Sequence, residues 1–577
     1  MLQVENLSKT YRLKDREIEA LKNISFTLKP GEILGLVGKS GGGKSTLMKI
    51  LRGMESFERG RILLDGLIVT PESDDETKRK QMAITAIHLQ RDFALWTESA
   101  LKNVVRRIYS RETGYEVLPI PENHNYDQLY QEALYYLRLV GLEKKANHLA
   151  TVLSGGEKQR LLIARQLAKK PKILLLDEPA TMACPATKQE VLDAIKNANR
   201  ELNLPIIVVS HLPEVHAYLA DRLVWMDGGE IVADGKPAPI LKRFLAGMGE
   251  AIPLAARSDI QPLIKVRGLY KRNCLVSTGE VLEVLAMKDL NFDINEGEIT
   301  SIIGNSGGGK TTLLKIMQGV RMPDEGSVLY RHGQNWVDMM AYSPERMEVR
   351  QGLGIMYQEF ALYAGEMIIE QIAYQLGVKG TDVIENARAV AEEMGISDKV
   401  LDVIYAMTDM SEEDAKAALE ALGLTREIFK DLFPRFPSTE AEKFARPIFQ
   451  LLSLDPEVMW KLPEQLSGGE KVRASLAILL AARPRVLILD EPFGDIDPIT
   501  LREVSNAIKR INSELGTTIL LVSHHVDFVK EVSHRAIYFE NGAIVADGSP
   551  EEVCSIFLSS CNAPYLKRLE ELSIAGG

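Results

Sequence analysis

The stretch GLVGKSGGGKST, Gly35 to Thr46, decides how this chain reads. It follows an apolar, strand-like run, opens a helical one and fits GxxxxGK[ST], a glycine-rich turn at a helix N-terminus. In such a turn several backbone N–H groups and the helix dipole converge on one anion, so the turn is a phosphate cradle. A second copy, SIIGNSGGGKTT, spans Ser301 to Thr312. The pattern arises by chance roughly 0.02 times in a chain this long, so two occurrences in matching contexts mean an internal repeat.

Later landmarks recur in the same order. LSGGEK stands at Leu153 to Lys158 and at Leu466 to Lys471, LLLDEP at Leu174 to Pro179, LILDEP at Leu487 to Pro492, and VSH ends at His211 and at His524. Ser154 to Asp177 and Ser467 to Asp490 are both 23 residues apart, and Glu178 to His211 and Glu491 to His524 are both 33. Equal spacing predicts equal folds. From lysine to signature serine the copies differ, 110 residues (Lys44 to Ser154) against 157 (Lys310 to Ser467). The second copy therefore carries an insertion, an enlarged helical subdomain over about 373–462, rich in helix formers such as DVIENARAVAEEMG and EEDAKAALEALG. AGMGEAIPLAARSDIQPL interrupts the periodicity, which places one domain at 1–250, a linker at 251–262 and a second domain at 263–577.

The residue types assign the chemistry. Gly38, Lys39, Ser40, Gly41, Gly42, Gly43 and Thr46 form the first phosphate loop around Lys44 and Ser45. Gly304, Asn305, Ser306, Gly307, Gly308, Gly309 and Thr312 form the second around Lys310 and Thr311. The lysines would reach the β and γ phosphates of ATP, and the Ser45 and Thr311 hydroxyls would face Mg²⁺. The runs ILLLDE and VLILDE read as buried parallel strands that deliver paired carboxylates beside the phosphates. Asp177 and Asp490 would hold the Mg²⁺ shell, while Glu178 and Glu491 would act as general bases on water. By itself DEP is a common helix start, and a lone histidine after a strand is more often structural. The matched 33-residue offset instead makes His211 and His524 sensors of the γ-phosphate. Gln90 and Gln358, in HLQRDFALW and YQEFALY, would sit near Mg²⁺ and the attacking water.

Composition narrows the class. Sixty-nine basic against 80 acidic residues, a formal charge of −11, argue against coating nucleic acid. Four cysteines are too few for a disulfide scaffold and lack metal-knuckle spacing, which points to a reducing cytosol. The charged N-terminus is unlike a secretory leader, and no run approaches a membrane span.

Phosphate loop, glutamine loop, LSGGE signature, Asp-Glu strand and switch histidine, in this order over nearly the whole chain, resemble ABC-type ATPases. The resemblance implies an α/β fold of two tandem ABC nucleotide-binding domains, each a P-loop NTPase with a RecA-like core and antiparallel β and helical subdomains. It also implies head-to-tail pairing of the halves. Lys44, Glu178 and His211 would then face Ser467, Gly468 and Gly469, and Lys310, Glu491 and His524 would face Ser154, Gly155 and Gly156. Tyr11 stands at the family's adenine-stacking place; the aligned residue of the second half is Asn273, with Tyr270 as a substitute. The loop after the Asp-Glu pair ends in the family's Asp497 in GDIDP, but in Cys184 in TMACP, which suggests weaker coupling on that side.

Longer segments reach beyond the common motifs. VSHLPEVH, LADRLVWMDGGEIV, LFPRFPSTEAEKFARPIFQ and VSHHVDFVKEVSHRAI resemble the component A two family of the methyl-coenzyme M reductase system. That resemblance implies a cytoplasmic archaeal protein that uses ATP to help bring the reductase's nickel tetrapyrrole to Ni(I). Its partners would be the reductase and redox-cluster proteins, without nucleic acid or a membrane span of its own. The family can carry a cysteine-rich insertion in its first half; here MESFERGRILLDGLIVTPESDDETKRKQM holds none. The alternative is the ATPase subunit of a transporter with separate permeases. Phe433 to Phe449, alternating aromatic and basic residues, is expected to be a docking surface.

Overall fold

The computed structural model describes residues 1–12, 17–88, 95–122, 125–180, 184–257, 261–277, 280–305, 307–357, 362–493 and 496–571, without the side chains of 273–286 and 570. The chain forms two compact units. One comprises Met1–Met248, Asp495–Ile499 and Cys561–Gly577; the other comprises Gly249–Gly494 and Thr500–Ser560.

In the first unit a six-stranded sheet runs in the order Glu230–Gly235, Arg222–Asp227, Ile33–Val37, Ile206–Val209, Ile173–Asp177, Thr85–His88. All neighbours are parallel except the first pair. The strands ILGLV and IIVV are buried at every residue, as expected of strands covered on both faces. One face packs on a four-stranded antiparallel sheet, ordered Glu17–Leu28, Leu2–Arg12, Arg59–Leu64, Leu67–Val69, through a core that includes Leu34, Leu36, Met48 and Ile62. The other face carries helices, among them Ala100–Thr113, Tyr126–Leu139 and Gly155–Leu167, which pack on one another. The helix Pro564–Glu571 also belongs to this unit. Tyr565 is buried in its core, and the Tyr565 N–H donates to Gln189 Oε1 at 2.8 Å.

The second unit repeats the plan. Its six-stranded sheet runs Leu353–Met356, Val486–Asp490, Thr518–Val522, Ile299–Ile303, Arg535–Glu540, Ala543–Gly548, beside a four-stranded sheet ordered Glu280–Asn295, Pro262–Ser277, Glu325–His332, Asn335–Asp338. Between Leu353–Met356 and the signature, the described residues form the helices Ile368–Lys379, Val383–Glu393, Asp398–Met407, Glu412–Leu422, Glu427–Leu432 and Ser438–Leu451. The first and last pack on the signature helix Gly468–Leu480. Three of the four between them, Val383–Glu393, Asp398–Met407 and Glu427–Leu432, build a small core from Ile384, Ala387, Leu401, Ile404, Tyr405, Leu432 and Phe433, which Met347 and Val378 join.

This packing divides the stretch 433–449, the expected docking surface, into buried and exposed residues. Phe433 is 4% exposed and Phe449 0%, and Ala441 and Ala445 lie on the same buried face of their helix. Phe433 belongs to the lobe's own core, and of the phenylalanines in that stretch Phe444 is the exposed one, at 43%.

Candidate functional site

Each phosphate loop joins the central strand of its sheet to a helix, Lys44–Arg52 or Lys310–Met317. The first glycine of each loop is forced by space. A Cβ at Gly38 would lie 2.0 Å from the Met226 carbonyl oxygen, and one at Gly304 would lie 1.9 Å from that of Phe539. The lysines are buried and fold back on their own loops. Lys44 Nζ donates to the carbonyls of Gly38 and Lys39, both at 2.8 Å, and Lys310 Nζ to those of Gly304 at 3.0 Å and Asn305 at 2.8 Å. These bonds close a ring around the space a phosphate would fill, with the ammonium at its rim. Burial lowers the Lys44 pKa, and the carboxylates of Glu178, Asp497, Asp177 and Asp227 oppose that shift.

Ser45 and Thr311, the next residues, are exposed at the helix N-termini. The Ser45 hydroxyl donates to Asp177 Oδ2 at 3.4 Å. Thr311 hydrogen-bonds Asp490, but burial still pushes the Asp490 pKa up to about 6. Asp490 Oδ1 is buried and makes no hydrogen bond among the described residues. A hydroxyl beside an under-satisfied carboxylate oxygen is a donor set suited to Mg²⁺, a hard cation that prefers oxygen. Ser45 with Asp177, and Thr311 with Asp490, would hold the ion, which when bound neutralises charge on the β and γ phosphates.

One residue further on, Glu178 and Glu491 take left-handed backbone angles, φ 52° and 49°. Such angles cost about 1 kcal/mol in a residue with a Cβ, and both copies retain them at the same place. The turn is held by Glu178 N–H donating to the Val209 carbonyl and Glu491 N–H to that of Val522, each at 3.0 Å. The carboxylates then meet the switch histidines. His524 Nε2 lies 2.7 Å from Glu491 Oε1, and His211 Nε2 lies 3.6 Å from Glu178 Oε1. Lys310 Nζ is 3.9 Å from the same Glu491 oxygen. Carboxylate, imidazole and ammonium thus converge at the C-terminal ends of the strands, where a base can take a proton from water while the ammonium faces the phosphate.

The signature serines cap their helices. Ser154 Oγ accepts from the Glu157 N–H while Glu157 Oε2 accepts from the Ser154 N–H, and Ser467 and Glu470 repeat the arrangement. Each capping box leaves its glycine pair at a helix N-terminus, the usual place for anion contacts. Tyr11 is half-buried, with Lys9 Nζ 5.1 Å from its ring centre. Tyr270 is likewise half-buried, with the Arg272 guanidinium 5.4 Å away. Gln90, Gln358 and Ser306, and the side chain of Asn273, lie outside the described residues.

Two partners of the site were missed in the sequence. Ser210 Oγ donates to Glu178 Oε2 at 3.3 Å, so the serine of VSH also orients the carboxylate expected to act as base. His216 is fully buried, bonded through Nε2 to the Ser210 carbonyl at 2.8 Å, and a Cβ at Gly35 would lie 2.5 Å from its Nδ1. The segment VSHLPEVH contained the signal, five residues beyond the switch histidine. Burial lowers the pKa values of His211 and His216 to about 4. Above pH 6.5 both are neutral whether folded or unfolded, whereas between 6.5 and 4 the unfolded chain binds their protons more readily. Urea denaturation midpoints are therefore expected to fall as pH drops through that window. The fall should be smaller in His216→Gln than in the native chain; equal slopes would exclude His216 as a source.

Cys184 and Asp497 occupy matching places but act differently. Asp497 Oδ1 accepts from the Ile499 N–H at 3.1 Å. Cys184, at the N-cap of Pro185–Leu202, supplies no cap bond and places its sulfur 3.2 Å from Thr187 Oγ1. Cys184→Asp is expected to raise stability by about 1 kcal/mol through the restored cap. A change in the cooperativity of ATP hydrolysis would support the weaker-coupling reading, and unchanged cooperativity would sink it.

This fold and this arrangement of loop, carboxylates and histidine define an ABC ATPase, made twice in one chain. The chain belongs to that family: the family model described as ABC transporter matches residues 21–181 and 287–494. Its domains bind and hydrolyse ATP. Two uncharacterized ABC transporter ATP-binding proteins of Methanocaldococcus jannaschii are similar nearly end to end. One is 43% identical over 99% of both chains, the other 33% identical over 96% of both. A solved structure of RNase-L inhibitor covers 96% of this chain and 93% of its own with TM-score 0.56; at 18% identity it shows the shared fold. Among the described residues no helix is long and apolar enough to cross a membrane.

Proposed function

We propose that the chain is an ATP-driven clamp whose two halves close head to tail, each ATP held between one half's phosphate loop and the other half's signature. The observation that carries this reading is the doubling itself. Each half has a phosphate loop, a Glu–His pair and a capped signature helix, and ATP held between halves stabilises the closed state until hydrolysis releases it.

The work of the clamp, in this reading, is the reductive activation of methyl-coenzyme M reductase in an archaeon. Electrons would come from cluster-bearing partners, and this chain would supply conformational work. Support comes from the segments that resemble component A two outside the common motifs and from similarity over nearly the whole length to two archaeal chains. A second reading is favoured by the names of those relatives: the ATPase subunit of a transporter with separate permeases. A pull-down with the Glu178→Gln, Glu491→Gln chain, with and without ATP, separates them. ATP-dependent recovery of reductase subunits with redox-cluster proteins supports the first, and recovery of membrane permeases overturns it.

A further inference from the structure

The two copies anchor the end of the phosphate-loop helix differently. In the first, the neutral Gln81 amide donates to the carbonyls of Ile50 at 2.9 Å and Leu51 at 3.0 Å. Arg52, the last residue of that helix, reaches forward to Thr85 Oγ1 at 3.0 Å and to the Met82 carbonyl. In the second copy an amide ends the helix and a cation, one residue past the register of Gln81, anchors it. Gln318 stands where Arg52 does, and Arg350, fully buried, donates to the carbonyls of Gln318 at 3.0 Å and Gly319 at 2.9 Å.

A buried guanidinium needs nearby negative charge, and the helical insertion provides it. Asp402 and Asp409, each 3% exposed at the side chain, lie 3.9 Å from Arg350. Asp409 also pairs with Lys379 at 2.5 Å, whose ammonium donates to the Arg350 carbonyl at 2.8 Å. Lys379 ends the helix that packs on the signature helix. The Tyr357 hydroxyl lies 2.9 Å from Gln318 Oε1 and donates to the Asp409 carbonyl. Tyr357 immediately precedes Gln358, and the first copy, which has no insertion, carries Leu89 at the aligned place.

We infer that Arg350 is a positioning residue which, with Tyr357, Lys379, Asp402 and Asp409, braces the helical insertion to the phosphate-loop helix, so that the insertion moves with the second nucleotide site. Among the described residues the first half shows no such brace. Moving the insertion away would leave a buried cation unpaired, which is strongly unfavourable, whereas the Gln81 anchor of the first half demands no counter-charge. The inference rests on the ATPase alone and holds for either reading of the partner.

Arg350→Gln tests it, because it copies the neutral anchor of the first half and keeps a donor for the helix end. Hydrogen exchange is followed in the full chain carrying Glu178→Gln and Glu491→Gln, with and without ATP and Mg²⁺. Without the brace mutation, ATP should slow exchange both in 310–319 and in 398–409. With Arg350→Gln the change in 310–319 should remain and that in 398–409 should disappear. In the chain with both glutamates intact, Arg350→Gln should lower kcat roughly tenfold with KM for ATP within about twofold, a split that general destabilisation would not produce. If Arg350→Gln does not fold, Tyr357→Phe, which keeps the ring and removes both hydroxyl contacts, decides by the same exchange readout. An ATP response in 398–409 that survives either variant, or is absent without them, overturns the inference.

Discussion

Replacing Glu178 and Glu491 together by Gln is expected to lower steady-state ATP hydrolysis by about 10²–10⁴-fold, the usual contribution of a positioned general base. The substitution keeps shape, leaves an oxygen at 178 that can still accept from Ser210, and does not touch the backbone bonds to Val209 and Val522, so the turns at these residues should survive. Only the basicity is lost. Because the phosphate loops, the lysines and the switch histidines are untouched, ATP should still bind and should stay bound, unhydrolysed, for much longer. Phosphate release assays and retention of labelled ATP through gel filtration read the two effects. Turnover within about threefold of the native rate would remove both glutamates from the base role. The single variants should differ, since His524 sits at 2.7 Å from its glutamate and His211 at 3.6 Å from its own, so Glu491→Gln disturbs the tighter pair.

Gly304→Ala should abolish ATP binding at the second phosphate loop. The added Cβ would fall 1.9 Å from the Phe539 carbonyl oxygen, a backbone atom of the neighbouring strand that no rotamer change can move. The loop must then leave the cradle geometry that aims its N–H groups at phosphate, and the ring closed by Lys310 Nζ on the Gly304 carbonyl opens with it. Gly307→Ala is the internal comparison. Its φ of 78° is unfavourable for alanine, but a Cβ there meets nothing within 4 Å, so the strain is about 1–2 kcal/mol without a clash. Titration of ATP in a Lys44→Ala background, which leaves the second loop as the binding site, should show affinity lost by at least about a hundredfold for Gly304→Ala and by about tenfold for Gly307→Ala. Equal, mild effects would mean that the loop is not held as described.

The parts legible in the sequence are those in which a short segment carries its own geometry. GLVGKSGGGKST contains the glycines, the lysine and the helix start in one run, and ILLLDE needs only its apolar character to be read as a buried strand ending in carboxylates. Equal offsets of 23 and 33 residues then placed signature, base and histidine without any knowledge of the folded chain. The aromatic stretch at 433–449 shows the opposite case. Alternation of aromatic and basic residues looks the same whether the rings face solvent or a small core, and only the packing of Val383–Glu393, Asp398–Met407 and Glu427–Leu432 buries Phe433.

The sequence by itself therefore determined a doubled ATPase with its phosphate loops, carboxylates and switch histidines, because backbone freedom at glycine and periodic hydrophobicity act over a few residues. The tertiary structure alone decided that His216 supports the Ser210 turn, that the helix Pro564–Glu571 belongs with the first unit, and that Arg350 meets Asp402 and Asp409 in the insertion. Those partners lie far apart in the chain or on different elements, and a buried charge or ring acquires its meaning only from the atoms that folding brings against it.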